Sequence, residues 1–225
     1  MKVAVMLSGC GVYDGSEIHE SVLTLLALDK QGIQYDCFAP DIAQHHVINH
    51  TNGEEMDESR NVLIESARIA RGAISDVKSC NITNYDALVI PGGFGAAKNF
   101  TKWAFEGPAG AIDSTIADII SNSYKNQKPI VAMCMSPVVL AKALENKGVT
   151  LSVGTTKQDS PYDIKAIHEG MQSLGAQSSE ISVNEIQVDE ENNIITTPCY
   201  MMEASISEIS ISIEKAITKL KSLIA

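Results

Sequence analysis

The chain has 225 residues, about one and a half times the ~150 residues of a common domain, so one large domain over residues 1–225 is expected. At 44% hydrophobic and 20% charged residues it can bury a full core, and it carries no apolar run of about 18 residues that would span a bilayer. With 17 Lys and Arg against 28 Asp and Glu, the net charge of −11 repels phosphate backbones and anionic lipid, which sets aside nucleic acid and membrane as partners.

The five cysteines, Cys10, Cys37, Cys80, Cys134 and Cys199, form neither an even framework nor a CxxC pair, as expected of a reducing compartment. Leu7-Ser8-Gly9-Cys10 has the look of a lipobox, but the apolar stretch of residues 3–7 is shorter than the ~7–15 residues of a signal core. The expectation is a cytoplasmic protein.

Apolar runs bounded by turn residues alternate with stretches of helical period, the pattern of a parallel sheet covered by helices on both faces. Residues 3–7 predict a first strand, followed by a loop with Gly9, Gly11 and Gly15 and then Ser16 as a helix N-cap. Ile18, Val22, Leu25, Leu26 and residues 27–28 repeat at helical spacing up to Gly32, and residues 34–39 predict a second strand broken by Pro40. Residues 41–57 read as loop, and residues 58–71 as an amphipathic helix stopped by Gly72. Residues 85–90 predict a third strand ending in Pro91-Gly92-Gly93, residues 112–124 a helix, and residues 129–133 a further strand.

Cys134 follows that strand directly, with Ser136 as N-cap and Pro137 at the first position of a helix over 138–147 that Gly148 ends. Residues 162–174 read as helix, residues 185–188 and 194–197 as a hairpin, and Ile206, Ile209, Ile213, Ala216, Ile217, Leu220 and Leu223 as one stripe of a final helix.

Strand, cysteine and capped helix together make the strongest local signal. Such a junction projects the residue at the turn into the crevice at the carboxyl end of the sheet and demands small neighbours two residues either side, here Ala132 and Ser136. A helix N-terminus favours thiolate, so Cys134 is expected to ionise readily as a nucleophile. The other reading is a strand-end cysteine packing as a small hydrophobe. In a doubly wound sheet the loop after the first strand faces the same crevice, which brings in Glu17, His19 and Glu20 from the first helical turn. Glu20 shares a face with Thr24 and Ala27 rather than with the apolar stripe, so it is expected to be partly buried toward the crevice, where a carboxyl close to a thiolate has its pKa raised. Acidic residues also favour any first turn through the helix dipole alone. Amides of Gly92, Gly93 and Met135 are candidates for holding an oxyanion.

The Gly-rich loop, Ser16-Glu17-Ile18-His19-Glu20, Val89-Ile90-Pro91-Gly92-Gly93 and Ala132-Met133-Cys134 together resemble the ThiJ/PfpI superfamily of the class I glutamine amidotransferase-like fold. Within it, the string from Leu7 to Glu20, Val47-Ile48-Asn49-His50, Arg60-Asn61-Val62-Leu63-Ile64-Glu65, the string from Pro91 to Asn99 and Thr196-Thr197-Pro198 are similar to the ElbB group, named for enhanced lycopene biosynthesis. The resemblance covers essentially the whole chain. It implies an α/β flavodoxin-like three-layer sandwich with a mostly parallel sheet and a strand-Cys-helix nucleophile elbow, a reactive Cys134, and Glu20 as its acid, because the spacing from Glu20 to Gly32 matches that of the family. It also implies a glyoxalase without metal or other cofactor, acting on a small dicarbonyl, an indirect link to isoprenoid production, and a homodimer. Met135 stands where peptidase-like members carry a histidine, and the only histidine beyond Cys134 is His168, followed directly by Glu169 rather than spaced as the His-x-Glu pair of amidotransferases. Peptidase and glutaminase activities are therefore not expected.

Gly9, Gly11 and Gly15 are spaced one residue too long for a dinucleotide fingerprint, although Asp36 and Asp41 stand near the second strand's end. His45, His46 and His50 share a loop without a cysteine or carboxylate at ligand spacing, so no metal site is expected. Cys10, Cys37 and Cys199 read as structural, with Cys10 and Cys199 near the crevice. The sequence thus leads to a cofactor-independent glyoxalase with Cys134 as nucleophile, Glu20 as general acid and base, and His19 in an accessory position. The alternative is a redox-sensing or protective protein in which Cys134 is oxidised to a sulfinate held by protonated Glu20.

Overall fold

The computed structural model describes residues 1–224. Strands β1 (Lys2–Met6), β2 (Gln34–Ala39), β3 (Ile74–Asp76), β4 (Ala87–Ile90) and β5 (Ile130–Met133) share a seven-stranded sheet with β8 (Gln187–Asp189) and β9 (Ile194–Thr197). The order is β3-β2-β1-β4-β5-β9-β8, all neighbours parallel except the β8/β9 edge pair. β4, β5 and β9 are buried at every position because helices cover both faces, which is why they read as unbroken β-branched and apolar runs. This is the α/β, flavodoxin-like arrangement expected.

The helices are α1 (Ile18–Lys30), α2 (Val62–Ile69), α3 (Trp103–Glu106), α4 (Ser114–Lys125), α5 (Pro137–Ala143), α6 (Ile164–Ser173) and α7 (Ile206–Ile224). α1 packs along α7, and α4 along α5. Residues 41–57 are loop as read, tied by isolated bridges such as Ile48 to Glu55 and by hydrogen bonds such as the Ile48 N–H to Asp14 Oδ2 at 2.7 Å.

Two expectations for α1 are corrected. Its N-cap is Glu17, whose Oε2 accepts from the Glu20 N–H at 2.6 Å. Ser16 instead accepts from the Ser8 N–H at 2.8 Å and closes the Gly-rich loop. The expected apolar stripe also divides: Ala27 and Leu28 are in the core, but Ile18, Val22 and Leu26 are 43–47% exposed, while Glu20, Ser21 and Thr24 are fully buried. The inward hydroxyls are tolerated because each finds an acceptor, Ser21 Oγ the Glu17 carbonyl at 2.7 Å and Thr24 Oγ1 the Met133 sulfur at 3.3 Å.

Three strands were not foreseen. β3 extends the edge beyond β2, and β6 (Thr150–Gly154) pairs with β7 (Gln177–Glu180) in a small separate sheet. That sheet is pinned across the end of the main one by the Ser152 N–H on Thr196 Oγ1 at 3.0 Å and the Thr150 N–H on Asp189 Oδ2 at 2.7 Å. The helix expected over 138–147 stops at Ala143, and Asn146, with left-handed backbone, donates its N–H to the Leu174 carbonyl.

The strand order reverses between β1 and β4, since the chain runs outward to β2 and β3 before returning to β4 and β5. At such a switch point the loops at the carboxyl ends diverge and leave a crevice. The loop after β1, the Gly92-Gly93 turn after β4 and the Cys134 turn after β5 all open there.

Candidate active site

Cys134 leaves β5 with φ 55°, a left-handed conformation that a non-glycine residue adopts only when its surroundings hold it. Three bonds do so. The Cys134 N–H donates to the Thr197 carbonyl at 2.9 Å, the Ser136 N–H to the Met133 carbonyl at 2.9 Å, and Ser136 Oγ to the Pro91 carbonyl at 2.6 Å. Ser136 begins α5 but does not cap it with its side chain; the hydroxyl ties the elbow to the end of β4 instead. Ala132 and Ser136 are fully buried, consistent with the small neighbours the turn requires.

Glu20 meets the Cys134 side chain from α1. It is fully buried, its Oε1 accepts the Tyr200 N–H at 3.1 Å, and the Gly92 N–H also points to the carboxyl. Gly92 makes this contact possible: a Cβ there would collide with Cys134 Cβ and Glu20 Oε2 and lie 2.9 Å from the sulfur. Gly93, at φ 104°, is held against the Gly-rich loop, and the Glu17 N–H donates to the Gly92 carbonyl at 2.9 Å.

Burial, followed by the neighbouring charge of Glu17, pushes the Glu20 carboxyl up to about 8, against the pull of the Tyr200 amide, Cys134 and the Gly92 amide. The thiol does not ionise as readily as its place before a helix suggested. Burial, then the charges of Glu20 and Cys199, raises Cys134 well above the ordinary thiol range, and the single Gly93 N–H that favours the anion does not offset them. A short helix dipole acts weakly on a sulfur this deeply desolvated. Burial thus favours the protonated forms of both groups over a preformed thiolate.

The remaining expected residues divide. The amides of Gly92 and Gly93 serve Glu20 and the sulfur respectively, whereas the Met135 N–H has no protein acceptor among the described residues. His19 is exposed; its Nδ1 lies 3.0 Å from Tyr200 Oη, and it makes no hydrogen bond to Cys134 or Glu20. It borders a cavity of about 380 Å³ with Tyr13, Glu17, Tyr162, Tyr200 and Glu203. Tyr162 and Tyr200 escaped the sequence reading because they come from turns with no motif of their own, whereas Cys199, read as structural but near the crevice, is buried. Tyr162 feels the charges of Cys134 and Glu20, which with burial raise its phenol. His45 and His46 stack on Phe105, at 4.2 and 5.3 Å, and His50 turns away to accept the Tyr13 N–H at 3.3 Å. Among the described residues no three His, Cys, Asp or Glu side chains converge as metal ligands. His168 accepts the Val153 N–H at 3.4 Å on α6, without contact to Cys134.

A nucleophile elbow, an acid from the first helix and a Gly-Gly turn between them match a known architecture, and the DJ-1/PfpI family profile fits residues 2–197. The chain belongs to the DJ-1/PfpI family. It is 41% identical over 226 aligned positions to the rat "ES1 protein homolog, mitochondrial", covering 99% of this chain and 84% of that protein. The human "Glutamine amidotransferase-like class 1 domain-containing protein 3, mitochondrial" is also 41% identical, with 99% and 83% coverage. Among solved structures, an isoprenoid biosynthesis protein with an amidotransferase-like domain from Ehrlichia chaffeensis superposes with a TM-score of 0.90 at 32% identity, covering both chains completely. This agrees with the ElbB-like resemblance of the sequence. Membership in the family supports a cysteine-based enzymatic or protective role. The cytoplasmic expectation is overturned by relatives that are named mitochondrial. Unpaired cysteines mark a reducing environment and do not distinguish one such compartment from another.

Proposed function

We propose that the protein converts glyoxal or a similar small dicarbonyl to the corresponding hydroxy acid, with Cys134 as nucleophile and Glu20 as proton carrier. The observation that carries this reading is the fully buried Glu20 carboxyl, pushed up to about 8, against the Cys134 sulfur. A carboxyl near neutrality can both take and return a proton at working pH, which an ordinary solvated glutamate cannot do efficiently.

In the monoanionic pair, Glu20 takes the thiol proton as the sulfur attacks one aldehyde carbon. Glu20 returns that proton to the alkoxide, giving a neutral hemithioacetal; the unengaged Met135 N–H, with Gly93, supports the oxygen while it carries charge. Glu20 then moves the proton of the sulfur-bearing carbon to the second carbonyl oxygen, giving an enediol. It next takes the proton of the hydroxyl on the sulfur-bearing carbon and delivers it to the second carbon, which leaves a thioester and Glu20 unchanged. One carbon is oxidised and its neighbour reduced, so the step needs no outside electron carrier. Water cleaves the thioester to the hydroxy acid and the free thiol. Gly92, having no side chain, leaves the reacting carbons room against the pair.

His19 and Tyr200 border the entrance and belong to substrate positioning in this scheme. The exposed stripe of Ile18, Val22 and Leu26, continuous with a groove of about 890 Å³ between α1 and β2, supports a homodimer.

The test is a progress curve for glyoxal and a panel of small carbonyl compounds with wild type and Cys134→Ser. Glycolate formed by wild type and lost in the variant is the expected result. Equal turnover by the two proteins overturns the proposal.

A further inference from the structure

A second thiol stands beside the first. Cys134 follows β5 and Cys199 lies two residues beyond β9, the neighbouring parallel strand, with Met133 opposite Thr197. The bond from the Cys134 N–H to the Thr197 carbonyl, 2.9 Å, keeps the two strand ends side by side past their last ladder pair. Both cysteines have left-handed backbone, φ 55° and 47°, and both are buried. One carboxyl serves both, since Glu20 contacts Cys134 while its Oε1 accepts the N–H of Tyr200, the residue after Cys199. A charge on Cys199 is felt at Cys134, and Glu20 acts electrostatically on each sulfur. The Cys199 sulfur lies 4.0 Å from Ser212 Oγ, a long contact that holds it weakly. With Met133 opposite Thr197, Cys199 stands one residue further along its chain than the position opposite Cys134, and neighbouring strands run about 4.8 Å apart, so a disulfide, which needs a Cα separation of roughly 4.4–6.8 Å, joins these two strand ends through the turn after Thr197.

We propose that Cys134 and Cys199 form a dithiol couple that a hydroperoxide oxidises to an intramolecular disulfide. The Cys134 sulfur attacks one peroxide oxygen, the O–O bond breaks, and the leaving alkoxide departs as alcohol with the thiol proton relayed by Glu20. Cys134 is left as a sulfenic acid. Glu20 then takes the Cys199 proton, the Cys199 sulfur attacks the Cys134 sulfur, and the S–O bond breaks. The hydroxide leaves as water with that same proton. In total two thiols and one hydroperoxide give a disulfide, an alcohol and water, and Glu20 is unchanged. The disulfide spares Cys134 from sulfinate, which a thiol cannot reverse, and switches off in reversible form whatever chemistry Cys134 performs. Cys199 is suited to this role because it is fully buried, whereas Cys134 keeps a small exposed area of 4%.

The full chain, treated with two or more equivalents of hydrogen peroxide, alkylated and mapped by mass spectrometry, tests the couple without reference to turnover. Wild type is expected to lose two hydrogens, to fall from five free thiols to three as two are consumed, and to yield one cross-linked species joining the Cys134 and Cys199 peptides that dithiothreitol cleaves. Cys199→Ser is expected to gain two oxygens at Cys134 and to resist dithiothreitol. Wild type that accumulates the Cys134 sulfinate while Cys199 remains alkylated overturns the proposal, as does a disulfide from Cys134 to another cysteine. Should Cys199→Ser not fold, the wild-type map alone decides between these results.

Discussion

The Glu20 carboxyl and the Cys134 sulfur meet over Gly92, in a space that no side chain at position 92 could share. Their ionisation is consequently joint. Because burial holds Glu20 up to about 8, its proton stays on in the folded protein through a range where the unfolded chain has lost it. Between the ordinary glutamate value and about 8 the native state binds the extra proton, so stability falls as pH rises through this window and levels off above it. Glu20→Gln keeps an oxygen for the Tyr200 amide and removes the titration. The variant is expected to gain stability over wild type at pH 8 and little at pH 5, read as Tm at the two values. If the proposed chemistry holds, kcat falls by about 10²–10⁴, the range for loss of a general acid and base. The rise of wild-type rate through about pH 8 should vanish with it.

Gly92→Ala probes the same contact from the other side. Its Cβ would meet both the sulfur's own Cβ and Glu20 Oε2, each held by backbone bonds and unable to retreat freely. Overpacking of this kind costs about 1–3 kcal/mol. Thermal unfolding should show that loss, and alkylation of Cys134 in the folded state should change rate as the pair is forced apart. A variant matching wild type in both measurements would mean that the turn after β4 yields easily.

The parts of this architecture that the sequence made legible share one physical property. β2 and β9 were read to the residue, and β4 and β5 nearly so: β4, β5 and β9 because central parallel strands buried on both faces leave unbroken runs, and β2, partly exposed over its first three residues, because Gly32 and Pro40 bracket it. The elbow was legible for the same reason, as an abrupt change from such a run to Cys134, Ser136 and Pro137. β7 was not, since Gln177, Ser178, Ser179 and Glu180 have no apolar residue and owe their conformation to pairing with β6. α1 misleads differently: its polar face is the inner one, and only three-dimensional partners reveal that Ser21 and Thr24 are satisfied there. Ionisation of Cys134 was misjudged because local sequence shows the nearby helix but not the depth of burial.

The exposed apolar residues of α1 give a prediction of their own. Ile18, Val22 and Leu26 contribute little to the core, being 43–47% exposed, so charging them should hardly disturb the fold. Val22→Lys with Leu26→Lys is expected to leave Tm within a few degrees of that of a monomer reference while converting the proposed homodimer to monomer in sedimentation analysis. A wild type that sediments as a monomer at all concentrations removes this assignment.

His19 provides the sharpest separation between motif and mechanism. It lies one residue from Glu20 in the sequence, yet successive residues on a helix point about 100° apart, and its ring reaches Tyr200 Oη rather than the pair. A group that exchanges protons with the reacting carbons would cost at least about 10² in kcat when removed. His19→Ala should cost less than that, and its effect should fall mainly on KM, because the ring lines a surface cavity with Glu17 and Tyr200 and not the pair itself. Tyr200→Phe, which deletes the hydroxyl His19 contacts but keeps the backbone N–H on Glu20, is expected to reproduce the same KM effect. Steady-state kinetics on the two variants and their double mutant make the comparison, and non-additive KM changes identify the pair as one positioning unit. A loss of kcat in His19→Ala equal to that in Glu20→Gln would instead place the imidazole in the proton path.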